Sequence, residues 1–125
     1  MNVVVENSIA NGSVKAIPSK SFAHRVCFCD FLAGNEIRDS YNGFTSQDIM
    51  ATANCLNDIK NGYTVLDAGE SGSTLRFLLP LLSALGGEFT ITGHGKLMQR
   101  PNEQLIDALC QRGAKIEAGE KISLS

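Results

Sequence analysis

The order of segments predicts a layered α/β (α+β) fold in which sheets carry helices on one face. Three observations predict it. Short apolar or alternating runs and longer segments of helical period follow one another along the chain. A glycine-spaced stretch, Asp67-Ala68-Gly69-Glu70-Ser71-Gly72-Ser73-Thr74-Leu75-Arg76, ends one short strand and opens an apolar helix. Finally, Ser19 to Asp48 is echoed by Glu70 to Pro101: each reads as polar turn, apolar helix, short strand, loop and second helix, as a duplicated unit would.

Val3-Val4-Val5 and Ser13 to Ile17 read as two short strands around Asn11-Gly12, a strong hairpin dipeptide, with Pro18 stopping the second. From Ser19 to Ala33 the apolar positions Phe22, Ala23, Val26, Cys27, Phe28, Cys29, Phe31 and Leu32 cover nearly the whole circumference, which predicts a helix buried on most sides and ending at Gly34. Glu36 to Tyr41 reads as a weak strand. Ser46 caps a helix with Ile49, Ala53 and Leu56 on one face and Asp48 in its favourable first turn, and Asn61-Gly62 ends it. Tyr63 to Leu66 reads as a strand feeding the glycine turn. Leu75, Leu78, Leu79, Leu82 and Leu85 then repeat at helical spacing until Gly86-Gly87, with Pro80 expected to kink that helix, since it lacks an N–H and crowds the carbonyl one turn back. Glu88 to Thr92 alternates as a strand, and Gly93 to Arg100 is a loop. Pro101 is placed as the first residue of a helix carrying Leu105, Ile106 and Leu109 to Gly113, and two strands, Ala114 to Ala118 and Lys121 to Leu124, follow.

A chain of 125 residues with 43% hydrophobic and 19% charged content can bury a core of its own. A net charge of −2 offers no general attraction to nucleic acid or an anionic membrane, so positive charge must act locally. Lys15, Lys20, His24 and Arg25 are its densest group. The first residues lack the features of a signal peptide and no segment approaches the length of a membrane span, which reads as a cytoplasmic protein. The cysteines at 27, 29, 55 and 110 form no C-x-x-C pair and read as reduced, buried thiols rather than metal ligands.

Two stretches suit an anion. At the turn Gly69 to Arg76 the glycines allow close backbone approach, and the unpaired N–H groups of the following helical turn, with the helix dipole, face the ligand. A capped helix with a glycine-rich opening turn accounts for the same residues without any ligand, and neither the dinucleotide nor the Walker pattern is present. In Pro18-Ser19-Lys20-Ser21-Phe22-Ala23-His24-Arg25, Lys20 and Ser21 start a helix and Arg25 shares a face with Ser21 one turn on. A carboxylate or phosphate held there gains charge-assisted bonds from Lys20 and a planar fork from Arg25; solvated surface charges are the plainer alternative.

Taken in order, the P-S-K-S-x-x-x-R stretch at Pro18 to Arg25, the S-x-D helix start at Ser46 to Asp48, the glycine turn closing in L-R at Arg76, the R-P pair Arg100-Pro101 and the L-x-D-A-L helix at Leu105 to Leu109 resemble the amino-terminal part of the 5-enolpyruvylshikimate-3-phosphate synthase family. The resemblance covers nearly the whole chain. It implies transfer of the enolpyruvyl group of phosphoenolpyruvate to shikimate 3-phosphate, in the route to aromatic amino acids, with no metal or organic cofactor. It also implies site roles: Lys20 as the catalytic contact to phosphoenolpyruvate, Ser21 and Arg25 on the carboxylate side of shikimate 3-phosphate, and the Gly72 backbone with Arg100 on the phosphate of phosphoenolpyruvate. Asp48 and Arg76 are further candidates, Arg76 being equally readable as the partner of a nearby carboxylate.

Members of that family fold as two lobes of repeated βαβαββ units. On that pattern residues 1–17 are opening strands that cross to the second lobe, and 18–125 are part of the first, about one and a half to two units. The resemblance therefore implies an incomplete chain, inactive alone, that could self-associate through unpaired strands. Glu70 and Phe77 stand where many relatives have Asn and Pro, so the pocket wall and inhibitor sensitivity do not carry over, and the Asn61 to Asp67 connection looks short, lacking strands that many relatives place there. A related enzyme acting on a UDP-sugar pairs its lysine with Asn where Ser21 stands, which favours the shikimate substrate. A non-catalytic anion-binding or interaction module is the rival of another class.

Overall fold

Strand β1 (Val65–Asp67) runs parallel to β2 (Phe89–Thr92), and the crossover between them is the leucine-rich helix α3 (Gly72–Leu85). The computed structural model describes residues 3, 4, 9, 11–39 and 45–125. Beyond β2 come a short 3-10 turn at Leu97–Gln99, helix α4 (Glu103–Cys110), and β3 (Ile116–Ala118) with β4 (Ile122–Leu124). The sheet order is β1-β2-β4-β3, and the last two pairings are antiparallel. This part of the chain thus has the order βαβαββ. Ahead of it lie α1 (Lys20–Leu32) and α2 (Gln47–Lys60).

Leu66, Ile91, Ile122 and Leu124 point to one face of the sheet, where Leu75, Leu78, Leu79 and Leu82 of α3 and Leu56 of α2 fill the core. The register places Leu66 beside Ile91 and Ile91 beside Ile122, so that one row of aliphatic side chains crosses three strands. Val65 and Asp67, one position either side, face away from it. Pro80 lies on the exposed side of α3, which continues through it to Leu85. The carbonyl that Pro80 cannot bond is therefore on the wet face.

Several sequence expectations need correction. The hairpin at Asn11-Gly12 does not form: residues 13–17 are not a strand, and Val3, Val4, Val14 and Ile17 are 74% to 95% exposed. A two-stranded ribbon with no packed face is marginal in water, and these side chains have no such face here. Val5 lies outside the described residues. Glu36 to Asp39 is not a strand either; Ser40 and Tyr41 lie outside the described residues. Its polar groups are spent on α1 instead: Arg38 donates to both carboxylate oxygens of Asp30 at 3.1 and 3.3 Å, and the Cys27 thiol donates to the Arg38 carbonyl.

Helix α1 is buried on one side only. Its inward residues are Ala23, His24, Cys27 and Asp30, whereas Phe22 and Leu32 are 62% and 69% exposed. The buried stripe is chosen by polar partners as much as by apolar area, which a count of hydrophobic positions does not register. Of the four cysteines, Cys27 and Cys55 are buried, but Cys29 and Cys110 are exposed. Strand β1 begins two residues later than Tyr63. Helix α4 starts at Glu103 rather than at Pro101, because Asn102 is its N-cap, and it ends before Gly113.

Candidate functional site

Three helix starts meet near the carboxyl ends of β1 and β2. Ser19, Ser46 and Ser71 are the N-caps of α1, α2 and α3, each accepting from an N–H three residues on, Phe22, Ile49 and Thr74 respectively. Lys20, the first residue of α1, forms an ion pair with Asp48 in the first turn of α2. The carbonyl of Asp48 in turn accepts from the hydroxyls of Thr52 and Thr74 at 3.2 and 3.3 Å, so α2 and α3 are tied within one turn of their beginnings. A hollow of about 180 Å³ lined by Pro18, Lys20, Ala23, Ser46 and Ile49 separates the starts of α1 and α2.

Beneath these starts runs a buried polar line. His24 Nδ1, Thr52 Oγ1, Thr74 Oγ1 and Ser71 Oγ are spaced 2.7 Å apart at every step, and all four residues are 0% exposed. Burial lowers the His24 pKa below its ordinary 6.5, with Lys20 and Arg25 adding to the effect and Asp48 opposing it. His24 therefore does not belong to the local basic group in which the sequence placed it.

The glycine turn is built as expected and then clasped by a loop. Asp67 Oδ1 accepts from the Gly69 N–H at 2.9 Å, Gly69 takes φ +58°, and Ser71 N–H bonds the Ala68 carbonyl at 3.0 Å. The 93–100 loop closes on it: His94 N–H donates to the Gly69 carbonyl at 2.7 Å, and His94 Nε2 lies 2.9 Å from Asp67 Oδ2. Partial burial pushes the Asp67 carboxyl up, but the Gly69 N–H and His94 outweigh it and leave the group below its ordinary value. The loop's far end brings Arg100 over Gly72, where a Cβ would lie 2.7 Å from Nη1.

Arg25 and Ser21 share a face as their spacing predicts. The guanidinium donates to the Ser21 carbonyl at 2.8 Å and to the Ser21 hydroxyl, and lies 5.5 Å above the ring of Phe77 in α3. Phe28 meets the same ring edge-on at 5.4 Å. Arg76 faces elsewhere: Nε donates to Asn102 Oδ1 at 3.1 Å and Nη2 to the Pro101 carbonyl at 3.2 Å. Those partners are an amide and a backbone carbonyl, so of its two readings the one that paired Arg76 with a carboxylate is not seen. Asn102 also donates to the Arg100 carbonyl at 3.0 Å, so the segment carrying Arg100 is pinned to α3.

Apart from Arg76, the candidate residues thus fall into three couples, Lys20 with Asp48, Ser21 with Arg25, and Gly72 with Arg100, joined by the first turns of α1, α2 and α3. The sequence reading did not single out Thr52, Thr74, His94 or Asn102. The Asp67-x-Gly69 spacing was a legible turn signal, but the His94 contact spans 27 positions and leaves none. Among the described residues, no group of three His, Cys, Asp or Glu is placed to hold a metal, and no helix is long and apolar enough to cross a membrane.

Comparison with known proteins bears on this arrangement. Residues 57–125 match the family model described as EPSP synthase (3-phosphoshikimate 1-carboxyvinyltransferase). A 3-phosphoshikimate 1-carboxyvinyltransferase of Pyrococcus abyssi is 35% identical over 127 aligned positions, covering 91% of this chain and 30% of that protein. Proteins of the same name from Clostridium kluyveri and Methanococcus maripaludis are 38% and 31% identical, covering 72% and 90% of this chain and 25% and 30% of theirs. The chain therefore spans less than a third of the length of these relatives.

Proposed function

Because the chain belongs to the EPSP synthase (3-phosphoshikimate 1-carboxyvinyltransferase) family, we propose that it contributes one wall of a site that transfers the enolpyruvyl group of phosphoenolpyruvate to shikimate 3-phosphate. The observation that carries this reading is Arg100 lying against Gly72 at the amide end of α3, with the Lys20–Asp48 pair at the neighbouring helix starts. Fixed cations and N–H dipoles are what two polyanionic substrates need, since their mutual repulsion must be offset before they can react.

In this reading the Gly72 amide and the Arg100 guanidinium hold the phosphate of phosphoenolpyruvate. Lys20 contacts the same substrate and offsets charge that develops as its double bond is attacked, while Asp48 keeps the ammonium oriented until substrate arrives. Ser21 and Arg25 hold the carboxylate side of shikimate 3-phosphate, with Phe77 as the platform for the guanidinium. Arg76 acts through Asn102 and Pro101 on the position of Arg100. The acid–base groups that complete the reaction are assigned to parts of the enzyme outside these 125 residues, and the isolated chain is expected to bind without turning over. The exposed aliphatics Val3, Val4, Ile9, Val14 and Ile17 support self-association through the opening segment, for which light scattering across concentration is the check.

Calorimetric titration of shikimate 3-phosphate into the chain, with Arg25→Ala as control, tests the assignment. Equal affinity in the two proteins removes Arg25 from the site, and steady-state turnover by the chain alone removes the need for outside groups.

A further inference from the structure

One directional contact sets the order of protons in the buried line beneath the three helix starts. Polar atoms 2.7 Å apart need a proton between them, and the line has three such steps. Thr74 Oγ1 donates to Ser71 Oγ, and a hydroxyl has one proton to give. Thr52 must therefore supply the proton between itself and Thr74. Its own proton being committed, the one between Thr52 and the histidine has to come from His24 Nδ1. The longer approaches of both threonine hydroxyls to the Asp48 carbonyl, 3.2 and 3.3 Å, are side branches of the same two protons.

The other ring nitrogen is compatible with this order. His24 Nε2 is buried without a hydrogen-bond partner among the described residues. As a bare lone pair it is an under-used acceptor, whereas as an N–H it would be an orphaned buried donor, the costlier of the two. Either direction leaves one buried donor at an end of the line, the Nε2–H or the Ser71 O–H, so the Thr74-to-Ser71 contact decides, giving one direction throughout: His24 to Thr52 to Thr74 to Ser71.

We infer that His24 is a positioning residue for the anion site: as the Nδ1–H donor at the head of this one-way chain, it fixes the Ser71 cap, and so the free amides of the first turn at Gly72, relative to Lys20 and Asp48. The inference rests on the proposed site and adds residues that touch no substrate in it. Thr52 and Thr74 are the links, each on a different helix, so that breaking either uncouples the amide end of α3 from the helix that carries Lys20.

Two readouts on the chain test it. Nitrogen-15 and carbon-13 shifts of the His24 ring, at a pH above its titration, are expected to report a protonated Nδ1 and a bare Nε2. Inorganic phosphate titrated against the Gly72 and Ser73 amide signals is expected to bind about tenfold more weakly in the near-isosteric Thr74→Val, a loss typical of one buried hydrogen bond. His24→Leu is expected to show a similar loss, whereas His24→Asn, whose amide can present an N–H where Nδ1 sits, is expected to bind as the unmodified chain does. An Nε2–H ring beside a normal phosphate response overturns the chain alone, as does unweakened binding in folded Thr74→Val. Absence of any phosphate response in the unmodified protein overturns the anion site and the positioning role with it, whatever the ring form.

Discussion

Arg100 closes over Gly72, so closely that a Cβ at position 72 would lie 2.7 Å from Nη1. Gly72 does not have a left-handed backbone; it is the first residue of α3, where alanine is favoured by up to about 1 kcal/mol. What the missing side chain provides is room for the guanidinium. Gly72→Ala should therefore leave the thermal midpoint unchanged or slightly raised while pushing Arg100 aside and weakening phosphate binding about tenfold or more. Paired melting curves and phosphate titrations check the separation, and equal losses in both would make Gly72 a structural glycine only.

Lys20 and Asp48 make a complementary case. Their side chains are 56% and 29% exposed, so the pair is worth about 0 to 1 kcal/mol to the fold once solvent screening is allowed for. The same ammonium facing a bound phosphate or carboxylate is worth roughly 2 to 4 kcal/mol. Lys20→Ala is expected to change the urea midpoint little and phosphoenolpyruvate binding severely. A large stability loss with binding retained would place Lys20 in the scaffold.

Much of this arrangement was legible, and what was not has a physical reason. Helices α2 and α3, the Ser46 cap and the turn at Gly69 follow from local chemistry: Ser46 bonds its own helix, and the leucine repeat of α3 has one dry face. Ser21 and Arg25 were paired by i, i+4 spacing alone. The opening strands failed because strand formation depends on a packed face, and Val14 and Ile17 are largely exposed. Helix α1 misled because His24 and Asp30 take buried places that a hydropathy pattern assigns to Phe22 or Leu32. Helix α4 begins late because Asn102 spends its side chain on Arg76 and the Arg100 carbonyl, a contact across 26 positions that no local pattern encodes.

The thiols separate cleanly by environment. Burial, with Asp58 and Asp67 nearby, pushes the Cys55 thiol up to about 12, and it donates to the Asp67 carbonyl at 3.2 Å. Cys27 is likewise buried, whereas Cys29 and Cys110 are exposed. Since the thiolate is the nucleophile, iodoacetamide should label Cys29 and Cys110 in the folded protein and reach Cys27 and Cys55 only on unfolding. Peptide mapping by mass spectrometry reads the pattern directly, and rapid native labelling of Cys55 would contradict its buried position.

Acid should destabilise the protein in two stages, because two groups are shifted in the same direction for different reasons. His24 has its pKa lowered from 6.5 by burial, with Lys20 and Arg25 reinforcing and Asp48 opposing. In the window between its folded value and 6.5 the unfolded chain binds the extra proton, so stability is fully present above 6.5 and falls as pH descends to the folded value. Below that value His24 contributes no further slope. Asp67 is held below 3.8 against partial burial by the Gly69 N–H and His94. Its contribution is present above 3.8 and is lost as pH falls through its depressed value. Urea midpoints across pH should therefore show a first decline in mild acid that is missing in His24→Asn, and a second in stronger acid that is reduced in Asp67→Asn. If His24→Asn keeps the first decline, that decline belongs to another group, and the histidine is not the source of the loss in mild acid.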